Sequence, residues 1–119
     1  MRLNKLIGNW GEDIAKKYLI RKGYTIISCN IKLGYGELDI VARLKSLLVF
    51  VEVKTKTMNN YGLAVEMVNA KKIKNMKSTA MKYLSKYSLR CSKIRFDVIT
   101  LDVDRINKTA KLCHYKDII

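Results

Sequence analysis

A chain of 119 residues has the length of one domain and can bury a core without disulfide or metal staples. Apolar residues make up 49%, which excludes a disordered chain, and the longest apolar run, LLVFV at 47–51, is too short to span a bilayer. Lys and Arg number 24 against 10 acids, a net charge of +14, and a surface that basic points to a polyanionic partner.

The charge is unevenly spread. Residues 54–95 carry 11 basic side chains and one acid, Glu66, while Glu37, Asp39 and Glu52 fall just before them. Nucleic acid is the expected partner, a merely solvating lysine surface is the alternative, and no basic amphipathic terminus argues for an anionic membrane. Cys29, Cys91 and Cys113 are odd in number and lack C-x-x-C spacing, so they read as reduced, partly buried thiols of a cytoplasmic protein. The opening MRLNKLIGNW is broken by Asn, Lys and Gly and is not expected to act as a signal peptide.

In chain order, residues 3–21 place Leu3, Leu6, Ile7, Trp10, Ile14, Tyr18 and Leu19 at helical spacing, with Lys22-Gly23 as the stop. Residues 24–31 alternate and are rich in β-branched side chains, as a strand requires, and 32–36 are turn-prone. Residues 37–43 and 47–54 read as two strands of a hairpin, and 58–62 as a loop or flap. A basic helix is expected from a cap at Asn69 to Tyr87, with Ile73, Met76, Ala80, Tyr83, Leu84 and Tyr87 as its apolar stripe. Residues 93–103 and 111–115 close the chain as strands. The order α-β-β-β-α-β-β implies an α/β fold, a mixed β-sheet flanked by helices, in a single domain over 1–119.

The hairpin concentrates the chemistry. Period-2 alternation puts Glu37, Asp39 and Val41 on one face of the first strand, and Leu48, Phe50, Glu52 and Lys54 on one face of the second. A two-residue loop at Lys45-Ser46 would set Asp39 opposite Glu52 and Glu37 opposite Lys54. A four-residue loop would make Asp39 and Glu52 diagonal neighbours, at about 7–8 Å between Cβ atoms instead of about 5 Å. Two hard oxygen ligands beside a lysine suit Mg2+ or Mn2+ rather than zinc. The same residues also suit a plain ion-pair cluster at a strand end.

An Asp followed by Glu-x-Lys on the next apolar strand resembles the signature of the PD-(D/E)XK nuclease superfamily. More narrowly, GNWGEDIAKKYLIRKGY, GYGELDIVA, LLVFVEVKTK and IRFDVITLD resemble, in order, the blocks of the bacterial YraN-like family. That family is largely uncharacterised and is similar to archaeal Holliday-junction resolvases. The resemblance covers nearly the whole chain and implies a restriction-endonuclease-like αβββαβ core plus a C-terminal strand. It implies metal ligation by Asp39, Glu52 and the backbone carbonyl of Val53, a catalytic Lys54, and Glu12 as an additional acid. A Glu12–Lys16 pair at i,i+4 is the plainer reading of that acid. Leu38 replaces the superfamily's proline, and Lys56 stands where relatives often carry Arg and lacks its bidentate fork.

The function expected is metal-dependent endonuclease action on DNA, branched or otherwise structured DNA included, by attack of a metal-activated water on phosphorus. A non-catalytic nucleic-acid-binding module with the nuclease fold is the alternative, and an RNA-associated basic protein is a more distant one. Lys56, Lys71 and Arg95 are candidate phosphate contacts, although Asp97 would equally serve as a structural partner of Arg95. His114 reads as structural or surface. Tyr35 and Tyr61, in loops flanking the site, are placed to stack on a base. The resolvase likeness also implies a homodimer.

Overall fold

Among the described residues the elements run α1 (Arg2–Arg21), β1 (Thr25–Leu33), β2 (Gly36–Leu44), β3 (Leu47–Thr57), α2 (Ala70–Tyr87), β4 (Lys93–Asp104) and β5 (Thr109–Tyr115). This computed structural model describes residues 2–57 and 70–119, with side chains from Leu6 onward apart from Ile7 and Ala70. Asn69, Tyr61, Glu66, the expected flap at 58–62 and the side chains of Leu3 and Ile7 lie outside the described residues.

α1 stops where expected. Gly23 takes a left-handed φ of 96°, which a residue without Cβ adopts at little cost. The Tyr24 N–H then reaches back to the Leu19 carbonyl and the Gly23 N–H to that of Ile20, both at 3.0 Å, a Schellman closure.

The five strands form one mixed sheet in the order β1-β2-β3-β4-β5. β1, β2 and β3 are successive antiparallel neighbours, β3 and β4 are parallel, and β5 returns antiparallel on β4. A parallel pair needs a crossover, and the stretch that contains α2 supplies it. The fold is the mixed sheet flanked by helices that the element order implied.

Alternation on β3 sorts its side chains as expected. Val49, Val51 and Val53 join Ile40, Ala42, Ile99 and Leu101 beneath Ala15 and Leu19 of α1. Leu48 and Phe50 join Val41 and Phe96 beneath Met76, Ala80 and Tyr83 of α2. The β2–β3 link is the two-residue turn Lys45-Ser46, with Leu44 opposite Leu47 and Lys45 at φ 56°.

One irregularity positions the site. Pairing between β1 and β2 passes from Cys29–Ile40 to Ile31–Leu38 and skips Asn30 and Asp39. Asn30 is left-handed there, at φ 53°, a conformation asparagine tolerates better than most residues. Across the skip the faces switch: Ile40 packs toward α1, but Leu38 and Ile31 pack toward α2. The strict alternation expected for 37–43 therefore fails at Asp39.

Two threonine hydroxyls fix the helices against the sheet. A Cβ at Gly11 of α1 would overlap Thr55 Oγ1 on β3, and one at Gly36 of β2 would overlap Thr79 Oγ1 on α2. Gly11 and Ala15, four residues apart on α1, are both buried where the helix approaches the sheet.

Candidate functional site

A cleft of about 510 Å³ opens where the two helices flank the middle of the sheet, and Glu12, Asn30, Asp39, Glu52, Lys54 and Lys72 all line it. In a two-residue hairpin, the bonded pairs of β2 and β3 would be Leu44–Leu47, Ala42–Val49, Ile40–Val51 and then Leu38–Val53. Pairing instead ends at Ile40–Val51. The Val53 N–H donates to Asp39 Oδ2 at 2.8 Å in place of a main-chain carbonyl. The Asp39 carboxylate thus fills a gap in the sheet itself, open to groups from both faces. Glu37, expected opposite Lys54, is exposed at the cleft mouth because the strands have already parted.

Glu52 comes from the α2 face of β3 together with Lys54, as the alternation placed them. Lys54 Nζ stands 3.5 Å from Glu52 Oε1, and Lys72 Nζ of α2 stands 3.8 Å from the same oxygen. Glu12 arrives from α1 on the opposite face. With its amide turned so that nitrogen faces Glu12, Asn30 donates to both carboxylate oxygens, at 3.1 and 3.0 Å. Lys16 pairs with Asp13 at 3.2 Å, so the i,i+4 partnership with Glu12 is not the one formed.

All three carboxyls are pushed above their ordinary range, and burial is the first cause in each. The Asp39 carboxyl rises to about 7 because burial and then the Glu52 charge outweigh the Val53 N–H and Lys54. Glu52 is held down in part by Lys54, and Glu12 is raised further by Asp39. Burial of acids this close together, with the Glu52 charge raising Asp39 and the Asp39 charge raising Glu12, leaves the cleft short of cations. Among the described residues no set of three or more His, Cys, Asp or Glu side chains forms a ready cage for an ion. The donors Asp39 and Glu52 are hard oxygens, with no His or Cys lining the cleft. Such a set suits a cation that keeps much of its water, as Mg2+ does.

Three anticipated phosphate contacts stand elsewhere. Lys56 lies beyond the cleft on β3, beside Asp102 of β4, and Lys71 is exposed at the start of α2. Arg95 pairs with Val49, three residues back from Glu52, or about 10 Å along the strand. Its guanidinium is bidentate on Asp97, at 2.8 Å for each bond, and also donates to the Tyr24 hydroxyl at 2.7 Å. Asp97 is thus the structural partner of Arg95, completely buried, and bonded as well to His114 Nε2 at 2.7 Å and to the Asp117 N–H at 3.0 Å. His114 Nδ1 meets the Tyr18 hydroxyl at 2.9 Å, so this histidine is structural. None of the three cysteines is paired, and Cys29 is exposed rather than partly buried.

Among the cleft residues that escaped the reading of the sequence, two contact its acids directly. Lys72 stands four residues before Met76, so extending the apolar stripe of α2 back by one turn finds it. Asn30 interrupts an otherwise β-prone run, which is the only signal it leaves.

No helix among the described residues is long and apolar enough to cross a membrane. The family model described as "Uncharacterised protein family UPF0102" matches residues 11–101, which span Glu12, Asp39, Glu52 and Lys54. The chain is 40% identical to a UPF0102 protein of Clostridium beijerinckii over 116 residues, covering 98% of this chain and 94% of the relative. It is 44% identical to one of Syntrophotalea carbinolica over 109 residues (92% and 87%), and 39% identical to one of Dictyoglomus turgidum over 98 residues (82% and 83%). With that match and those relatives, the chain belongs to UPF0102, a family whose function is uncharacterised.

Proposed function

We propose that this chain is an endonuclease-like hydrolase of DNA phosphodiesters that works with Mg2+ or Mn2+ held by Asp39 and Glu52, with the Val53 carbonyl as a further ligand. The observation that carries this reading is the convergence of three carboxyls, each raised first by burial, and two lysines in one cleft. When bound, the ion neutralises a phosphate oxygen and makes a nearby water more acidic.

The other steps belong to the chain. The Val53 N–H fixes one oxygen of Asp39 and thereby its orientation. Lys54, on Glu52, offers a positive charge where negative charge grows on the phosphoryl oxygens. Lys72 brings a second cation from α2 to the same phosphate. Glu12, oriented by Asn30, faces the attacking water as a proton acceptor.

The test is purified protein with Mg2+ or Mn2+ on duplex, single-stranded and four-way-junction DNA, and on RNA, beside Glu52→Ala. Cleavage of DNA by the wild type alone is the expected result. Equal products from both proteins, or none on any substrate, would overturn the reading. Metal-independent binding that improves in Glu52→Ala without turnover would instead identify a non-catalytic module. Action by a pair of chains on a symmetric junction belongs to the same proposal, and sedimentation of the complex reads its stoichiometry.

A further inference from the structure

Beside the carboxylate cleft lies a second cavity, of about 150 Å³, lined by Tyr35, Gly36, Asn75, Ser78, Thr79 and Lys82. The two cavities share Tyr35, Gly36 and Asn75, so they form one groove between α2 and the β1–β2 turn. Their chemistry differs. Among the described residues the first holds Glu12, Glu37, Asp39 and Glu52, whereas the second holds no acid and one lysine.

Tyr35 stands on the ridge between them. Leu33 pairs with Gly36, so Gly34 and Tyr35 form a two-residue turn, and Gly34 at φ 62° supplies its left-handed position. A turn this short presents its side chains rigidly. The Tyr35 ring is 109% exposed, so it contributes nothing to the core. Lys82 reaches from α2 until its Nζ lies beside Gly34, and Ser78 is exposed one turn earlier on the helix. An exposed aromatic face next to a cation and hydroxyls, with no carboxylate among them, is the combination that binds unpaired nucleotides: the ring stacks on a base and the cation takes its phosphate.

We propose that this second cavity is a subsite for an unpaired nucleotide adjacent to the reacting phosphate. Its base stacks on Tyr35 and its phosphate lies against Lys82 and Ser78. The groove then continues the strand into the carboxylate cleft, and the preferred ligand is DNA with a single-stranded segment at the site rather than a continuous duplex. The assignment rests on the nucleic-acid reading above but not on turnover.

Binding of fluorescein-labelled oligothymidylate, a blunt duplex and a duplex with a single-stranded overhang is measured by anisotropy in EDTA. The wild type is expected to bind the strand and the overhang more tightly than the blunt duplex. Tyr35→Ala is expected to weaken those two ligands roughly tenfold and to spare the duplex, while Tyr35→Phe restores binding. Lys82→Ala is expected to lower the slope of log K against log salt by about 0.7 on the single strand. Tyr35 packs against nothing, and circular dichroism checks that its variants are folded. Wild-type binding that Tyr35→Ala leaves unchanged, or a loss equal on all three ligands, overturns the subsite. So does a wild type that binds none of them. If the Tyr35 effects hold but Glu52→Ala cleaves like the wild type, the nuclease reading falls and the subsite stands.

Discussion

The Asp39 carboxylate accepts the Val53 N–H at 2.8 Å in the gap where β2 and β3 stop pairing. A side chain has taken the place of the Leu38 carbonyl, so the sheet stays open beside the carboxylates. Asn30, left-handed on the neighbouring strand, completes the opening and turns its amide to Glu12. One kink thus brings acids from both faces of the sheet into a single cleft.

Asp39 is therefore both a structural acceptor and a buried charge, and two substitutions separate the roles. Asp39→Ala orphans the Val53 N–H, at a cost of about 1–3 kcal/mol. Asp39→Asn keeps an acceptor and removes the charge. With the folded carboxyl raised to about 7, the native state binds more protons than the unfolded state from about pH 4 to 7. Its contribution to stability therefore falls as pH rises through that window. In chelator at pH 8, Asp39→Asn is expected to exceed the wild type by at least about 1 kcal/mol in urea unfolding. That advantage is expected to shrink at pH 5, and Asp39→Ala to lie below Asn at both. An Asn variant no more stable than the wild type at pH 8 would contradict the assignment.

Asp97 predicts the opposite acid limb. Hydrogen bonds from His114, Arg95 and the Asp117 N–H outweigh its burial and hold its carboxyl below the ordinary range. A depressed folded value gives stability that is complete above the unfolded value near 4 and is lost as pH falls through the folded one. Asp97→Ala is expected to cost roughly 3–5 kcal/mol at pH 7, because it strands a partly buried guanidinium and a buried imidazole. Thermal unfolding from pH 2.5 to 7 is expected to show a flatter acid limb in the variant. An unchanged slope below pH 4 would assign the acid lability to other carboxylates.

These two aspartates mark how far the sequence was legible. Glu52 and Lys54 could be placed because alternation holds along β3, and the two-residue turn brings Asp39 near them although alternation fails at Asp39 itself. Asn30 could not, because alternation presumes regular pairing and the break depends on a left-handed residue meeting an unpaired one across the ladder. Arg95 looked available to phosphate because a strand-initial arginine two residues before an aspartate is compatible with either role. Only the distant return of β5, which brings His114 and Asp117 to Asp97, settles it as structural. The element order was readable throughout, since every break falls at a Gly, a polar turn or the end of an apolar stripe.

The glycine–threonine contacts set the width of the cleft. Gly11→Ala forces α1 away from Thr55 of β3, and Gly36→Ala forces β2 away from Thr79 of α2, since the added Cβ overlaps the hydroxyl. A cost of about 1–3 kcal/mol is expected for each, as for other overpacked sites. Thr55→Ala removes the hydroxyl that Gly11→Ala meets, so the double variant is expected to recover part of the loss. Additive losses in that cycle would show that Gly11 matters for another reason.

Lys72 and Lys71 offer the sharpest comparison, being adjacent in sequence and differently placed. Lys72 lines the cleft with its Nζ 3.8 Å from Glu52, and Lys71 points to solvent. If the cleft hydrolyses DNA, Lys72 acts on the reacting phosphate and Lys71 at most on a distant one. Lys72→Ala is then expected to lower kcat/KM by about tenfold or more, roughly 1.4 kcal/mol of transition-state stabilisation. Lys71→Ala is expected to leave kcat unchanged and only to reduce the salt dependence of DNA binding by about one phosphate contact. Single-turnover cleavage at saturating protein isolates the chemical step from binding. Equal rates for the two variants there would remove Lys72 from the chemistry and leave α2 as a basic binding surface alone.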